Sequence, residues 1–103
     1  MSQTPIAETG LLAAAARVPD HVVFRGFAAE TVVLNLETGK YHGLNPVGGR
    51  MLDTVAVSEN LATAAGALAE EYGEAVEVIE SDLCAFCAAL AERGLIEIVP
   101  TGR

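Results

Sequence analysis

The chain has 103 residues, of which 51% are hydrophobic, and this length predicts one small domain with a single core. The formal net charge of −8, with one Lys and five scattered Arg, excludes the clustered cations that a nucleic-acid partner requires. No apolar run approaches the roughly 20 residues of a membrane span, and the first residues lack the basic region of a signal peptide, so we expect a cytoplasmic protein without a membrane partner.

Residues 1–19 are rich in alanine and poorly patterned. They predict a flexible N-terminal arm, followed by a folded domain over residues 20–100. A short helix over residues 11–18 would be ended by Pro19. The domain is then expected to begin with a strand over residues 21–27.

The most informative segment covers residues 31–55 and reads TVVLNLETGKYHGLNPVGGRMLDTV. Its first six residues repeat with a period of two, which is typical of a strand with one face buried. Residues 37–40 supply a tight turn in which Gly39 is free to adopt a positive φ. The chain returns as a short strand over residues 41–44, and Asn45 then has the character of a helix N-cap.

Three helices follow, each predicted from apolar residues at spacings of three and four. The first covers residues 46–55. The second runs from an N-cap at Ser58, with Glu59 and Asn60 as alternative starts, to Gly73, and the third runs from an N-cap at Ser81 to Gly94. Residues 95–99 complete the order with a short strand. The fold class is therefore predicted as α+β and winged-helix-like, with a three-stranded antiparallel sheet packed on three helices and a short C-terminal strand.

Little in the sequence points to catalysis. No Ser-His-Asp pattern and no Gly-rich phosphate loop is present, so we expect neither catalytic residues nor a cofactor. Cys84 and Cys87 form a C-x-x-C pair, but a zinc site requires four ligands and only His21 and His42 remain to complete it. Core packing without a metal is the favoured interpretation of the pair, and a redox or metal module is the alternative.

Two further features have a structural and a functional interpretation. His42 lies two residues before Leu44 and shares its side of the strand, where packing is favoured over contact with a ligand. An acidic run between the second and third helices is expected to be a solvated face rather than a docking patch for a basic partner. Its members are Glu70, Glu71, Glu74, Glu77 and Glu80.

The second strand of the hairpin is expected to lie at the border of the sheet. Lys40 is the single charge beside it and no proline interrupts it, so its backbone groups are available to an extended peptide that adds another strand. About four hydrogen bonds at a net ~1 kcal/mol each would be weak and unspecific. One or two apolar peptide side chains, at ~1.5 to 3 kcal/mol apiece, would supply affinity and sequence choice, with the third helix as a wall.

Two strings, VVLNLETGKYHGLNPVGGRMLDTV and SDLCAFCAALAERGLIEI, resemble the PqqD-like family of leader-peptide recognition elements in ribosomal peptide (RiPP) biosynthesis. The resemblance covers residues 22–99 and depends on the patterns T-G-K-Y-x-x-L-N and D-x-x-x-F-x-x-x-L-x-x-x-G-L-I. It implies a non-catalytic peptide chaperone that captures the leader of a precursor as an added strand and presents it to a modifying enzyme.

The resemblance also implies, by position, which residues bind the peptide. On the strand edge they are Gly39, Lys40, Tyr41, His42, Gly43 and Leu44, and on the third helix Asp82, Leu83, Phe86, Cys87 and Leu90. The residues alone do not decide which of the helical positions face the groove.

The TGKYHGLNPVG hairpin is most similar to stand-alone lasso-peptide members, whose partner is a leader peptidase. The alternative within the family is a chaperone for a radical-SAM enzyme, although those members have a hairpin richer in proline and glutamate. A winged-helix transcriptional regulator is a further alternative, and the acidic third helix argues against it. The precursor, the enzyme served and a homodimer stay open.

Overall fold

The structure, a computed structural model, describes residues 8–100. Its elements in chain order are α1 (Glu8–Leu12), β1 (Ala14–Arg17), β2 (Val22–Gly26), β3 (Thr31–Asn35), β4 (Tyr41–Leu44), α2 (Pro46–Val57), α3 (Leu61–Tyr72), α4 (Val76–Glu92) and β5 (Glu97–Pro100). The predicted α+β class is confirmed, with a three-stranded antiparallel sheet, a set of helices and a short C-terminal strand. None of the described helices combines the length and apolar character needed to span a membrane.

The three-stranded sheet has the order β2-β3-β4, and both neighbouring pairs are antiparallel. In the predicted turn, Gly39 has a φ of 75°. The Asn35 side chain accepts hydrogen bonds from the backbone N–H groups of Glu37 at 2.9 Å and Thr38 at 3.3 Å. This Asx-type bonding fixes the register that places β4 beside β3.

The helices α2, α3 and α4 pack together and enclose most of the core. The largest fully buried side chains are Leu52, Leu61, Leu68, Leu83, Leu95, Val33, Val55 and Cys87. The start of α2 packs closely on β3, because a Cβ on Gly49 would collide with the Thr31 side chain. The predicted cap of α2 is also confirmed, since Asn45 Oδ1 accepts the N–H of Gly48 at 2.8 Å. Together these contacts fix α2 immediately after the edge strand.

For α3 the structure selects the last of the predicted starts, and for α4 the predicted start was wrong. Asn60 caps α3, with its Oδ1 accepting the Thr63 N–H at 2.8 Å, whereas Ser58 donates its hydroxyl to the Thr54 carbonyl at the end of α2. The last helix begins at Val76 and not at Ser81, and it has no side-chain cap. Burial of Ile79 within the core extends α4 beyond the position that capping alone predicts.

Residues 8–19 were predicted to belong to a flexible arm, but they are part of the folded domain. The predicted domain boundary at residue 20 is therefore corrected. Leu11, Ala14 and Ala16 are buried in the core, and β1 pairs with β5. Arg17 reaches Glu97 across this pair at 2.7 Å. A four-residue strand with three alanines gives almost no periodic pattern, and its partner is about eighty residues away, so local patterning did not predict it. Residues 1–7 of the predicted arm lie outside the described residues.

Candidate functional site

The strand β4 lies at an edge of the three-stranded sheet, since β3 is its neighbour and no other described strand pairs with it. The N–H of Asn35 donates to the Lys40 carbonyl at 2.9 Å. Because paired groups alternate along an antiparallel ladder, His42 and Leu44 point their backbone groups toward β3. Tyr41 and Gly43 therefore direct two N–H and two C=O groups away from the sheet, toward an incoming strand.

The side chains of β4 alternate between the two faces of the sheet. His42 and Leu44 are half-buried on the helix side, which places His42 beside Leu44 as predicted. Tyr41 is 72% exposed on the outer face. On that same face the Glu30 carboxylate lies over Gly43, 2.5 Å from where a Cβ would be. The edge strand therefore has no side chain at Gly43, and the Glu30 carboxylate lies beside it there.

The helix α4 exposes fewer of the peptide-binding positions than the resemblance implies. Asp82 is exposed and Phe86 is half-buried. Leu83, Cys87 and Leu90 are at most 3% exposed and belong to the core. At about 100° per residue, the mean directions of the two sets differ by roughly a quarter turn, and Phe86 and Leu90 lie side by side at the boundary between them. These three residues hold α4 in place and present no side-chain surface to a peptide in this structure.

Gly48, in the first turn of α2, lies where the edge strand and α4 come close together. The sequence analysis did not identify it as a site residue. A Cβ on Gly48 would lie 3.3 Å from Leu44 Cβ and 3.4 Å from Phe86 Cε1. The absent side chain thus lets Leu44 and Phe86 approach over the first turn of α2. We call the space between the free edge of β4 and α4 the groove, with Gly48 as its floor. The informative pattern was Gly48-Gly49 inside a helix, where glycine is unfavourable unless packing requires it.

The outer face of the sheet is apolar and uncovered by any described residue. Val23, Phe27 and Leu36 are 47%, 60% and 57% exposed. A shallow cavity of about 430 Å³ lies between β2 and β3 there, with Val32 and Leu34 in its lining. An apolar sheet face of this kind is typical of a surface that another protein covers.

The two cysteines lie in the interior of the helical layer, Cys84 at 7% and Cys87 at 0% exposed. Burial, with a smaller contribution from Cys84, raises the pKa of the Cys87 thiol to about 12. The thiolate that metal binding or disulfide exchange requires is thereby disfavoured. No cluster of three or more metal-ligating side chains occurs among residues 8–100. The geometry favours the packing interpretation of the C-x-x-C pair.

The acidic run is divided by one ion pair. Arg50 of α2 donates to both carboxylate oxygens of Glu71 in α3, at 2.9 and 2.8 Å. These hydrogen bonds lower the pKa of Glu71 below its ordinary value. Glu70, Glu74 and Glu77 are exposed. The run is therefore a largely solvated face.

Comparison with known proteins places this geometry in context. A family model described as Coenzyme PQQ synthesis protein D (PqqD) matches residues 30–96. The structure of TbiB1 in complex with the TbiA(beta) leader peptide is 33% identical, with a TM-score of 0.72, over 79% of this chain and 94% of that chain. The structure of a lasso peptide synthetase B1 complexed with the leader peptide is 23% identical, with a TM-score of 0.73, over 82% of this chain and 99% of that chain. At that identity the second likeness concerns the fold. No curated protein matches the chain.

Proposed function

This chain belongs to the PqqD family, and we propose that it is a non-catalytic RiPP recognition element. In this role it binds the leader of a ribosomally made precursor peptide and delivers it to an enzyme of the same pathway. The open edge of β4 beside Phe86 and Gly48 is the observation that carries the proposal. The similar protein TbiB1 was solved in complex with a leader peptide, which supports it further.

Strand addition on β4 has a limited energy of its own. Four outward backbone groups at a net ~1 kcal/mol each give about 4 kcal/mol, which corresponds to a dissociation constant of about 1 mM. Each apolar leader side chain buried against Leu44 or Phe86 would add roughly 1.5 to 3 kcal/mol. Micromolar binding therefore requires two or three such anchors. The backbone fixes the direction of the leader and the anchors select its sequence.

The enzyme served is proposed to be a leader peptidase of a lasso-peptide pathway. The TGKYHGLNPVG hairpin supports this assignment. The outer face, with Val23 and Phe27, is uncovered. It stays accessible when a peptide pairs with the free edge of β4, so an enzyme has a surface to approach. We place the encounter in the cytoplasm, where ribosomal precursors are made. The matching family model is described by its role in coenzyme PQQ synthesis, and the alternative within the family is service to a radical-SAM enzyme.

A titration tests leader binding. A synthetic leader from a precursor encoded beside this gene should bind with a dissociation constant in the micromolar range or tighter by isothermal calorimetry, and a scrambled leader should not. Amide hydrogen exchange should slow at Tyr41 and Gly43, the two residues whose N–H groups face the incoming strand. No heat and no protection with the true leader would contradict the proposal.

A reconstitution identifies the enzyme. If the partner is a leader peptidase, adding this protein should increase the rate of leader removal from the precursor. A variant with weakened leader binding, such as Phe86→Ala, should lose that increase. Stimulation of a radical-SAM enzyme from the same gene neighbourhood, with no effect on the peptidase, would favour the alternative.

A further inference from the structure

An apolar cavity of about 260 Å³ opens between α2, α3 and α4, beyond the carboxyl end of β4. Its floor consists of Met51, Leu68 and Ile79, which are at most 8% exposed and belong to the core. Val47 and Val78 stand at opposite sides of its rim and are 47% and 48% exposed. The cavity is thus an open hollow lined by apolar groups, wide enough for one large side chain.

The cavity continues the groove. Val47 directly precedes Gly48, the groove floor, and Asp82 lies one helical turn before Phe86 on the same side of α4. A peptide that pairs with β4 and continues past Leu44 would therefore leave the sheet edge at this opening. Among residues 8–100 no strand lies there, so the side chains of α2, α3 and α4 must provide the recognition.

Two carboxylates, Glu74 and Asp82, also line the cavity, and both are exposed. The ion pairs found within residues 8–100 engage other acids, such as Glu71 with Arg50. Glu74 and Asp82 are thus available to a cation supplied from outside. An apolar hollow with unpaired acids beside it is complementary to an apolar side chain that has a basic neighbour.

We propose that this cavity binds a large apolar side chain of the leader, aromatic or a long aliphatic, that lies next to a Lys or Arg. This segment adjoins the part of the leader that adds a strand to β4. The inference rests on the proposed function and deepens it, because it names a helical subsite and a charge preference in addition to the strand edge. The apolar side chain fills the hollow while the cation pairs with Asp82 and Glu74 at the mouth.

The main test combines an alanine scan of the leader with a variant whose cavity is filled. Val78→Trp places an indole at the exposed rim, and Val57→Trp is the matched control, since Val57 is 86% exposed at the end of α2 and does not line the cavity. Val78→Trp should weaken binding of the intact leader at least tenfold, and Val57→Trp less than twofold. Replacing one large apolar leader residue by Ala should weaken binding to the wild-type protein at least tenfold. The same replacement should weaken binding to Val78→Trp less than twofold.

A second arm tests the charge. The double variant Glu74→Gln, Asp82→Asn should weaken the intact leader about three- to tenfold at low salt, and the loss should shrink as salt is added. A leader whose adjacent Lys or Arg is replaced by Met should bind wild type and double variant equally. Should Val78→Trp fail to fold by circular dichroism, Val47→Trp fills the hollow from the other side of its rim.

The outcomes separate this inference from the proposed function. A leader that binds wild type and the filled variant equally well, with the same alanine profile, overturns the subsite and leaves leader binding intact. A leader that does not bind wild type at all overturns both. If the filled variant weakens binding and the acid variant does not, the preference for a basic neighbour is overturned.

Discussion

The two faces of α4 have opposite roles, although their residues alternate along the chain. Leu83, Cys87 and Leu90 are buried and hold the helix to the core. Asp82 and Phe86 lie next to two of them in sequence, and Asp82 is exposed while Phe86 lies beside Gly48 at the groove floor. A rotation of about 100° per residue is enough to convert a structural position into a binding position. A substitution on one face should therefore change stability, and a substitution on the other should change affinity.

The largest expected effect is on the buried face. Leu83 is 0% exposed, so Leu83→Ala should lower the free energy of unfolding by about 2 to 5 kcal/mol. That is a large share of the roughly 5 to 15 kcal/mol that stabilise a typical domain. Urea unfolding measures the loss. Val57→Ala, at an 86% exposed position, is the control and should change stability by no more than about 0.5 kcal/mol.

The groove face should show the reverse balance. Phe86→Ala removes a half-buried ring beside Gly48 and should weaken leader binding about tenfold, a loss of about 1.4 kcal/mol. Its cost in unfolding free energy should be smaller than that of Leu83→Ala. Phe86→Leu, which keeps an apolar group at the site, should recover much of the affinity. Equal losses of stability in Phe86→Ala and Leu83→Ala would show that the two faces are not separated in this way.

The groove floor gives a sharper comparison through two helical glycines. A Cβ at Gly66 in α3 would contact nothing within 4 Å, so Gly66→Ala should stabilise the protein by about 0.5 to 1 kcal/mol and leave binding unchanged. Gly48→Ala brings the same helical advantage, but its methyl group would press on Leu44 and Phe86. Little or no net stabilisation is expected there, together with weaker leader binding. A Gly48→Ala protein that binds the leader as wild type does would remove Gly48 from the floor.

Local chemistry explains which parts of the fold could be predicted. The turn at Gly39, the cap at Asn45 and the end of α3 at Gly73 each depend on groups within a few residues, and the sequence carries that information. The strand β1 depends on β5, at the other end of the chain, and the first turn of α4 depends on burial of Ile79. Such long-range contacts leave no short pattern in the sequence.

The candidate site divides in the same way. The edge strand was predicted because a hairpin followed at once by a helix exposes its second strand. The groove floor at Gly48 was missed, because its role appears only when Leu44 and Phe86 are brought together from positions 44 and 86. The resemblance, carried over by position, also placed the buried residues Leu83, Cys87 and Leu90 in the site. A resemblance in sequence does not show which side of a helix faces the core.

The smallest expected effect concerns an exposed ion pair that joins α2, which carries the groove floor, to α3. Arg50 lowers the pKa of Glu71 in the folded state, so the pair stabilises the fold when the pH is above the ordinary glutamate pKa of 4.5. That contribution is lost as the pH falls through the lowered pKa of the folded state. Unfolding followed between about pH 6 and pH 3 should therefore show a shallower loss of stability for Glu71→Gln than for wild type.

Glu70→Gln, which removes a neighbouring exposed carboxylate outside the described ion pairs, is the control and should keep the wild-type slope. Since 44% of the Arg50 side chain and 40% of the Glu71 side chain are exposed, the difference should be small and should fade in high salt. A difference that survived high salt would mean that the two short hydrogen bonds of the pair, rather than a screened attraction between charges, couple α2 to α3.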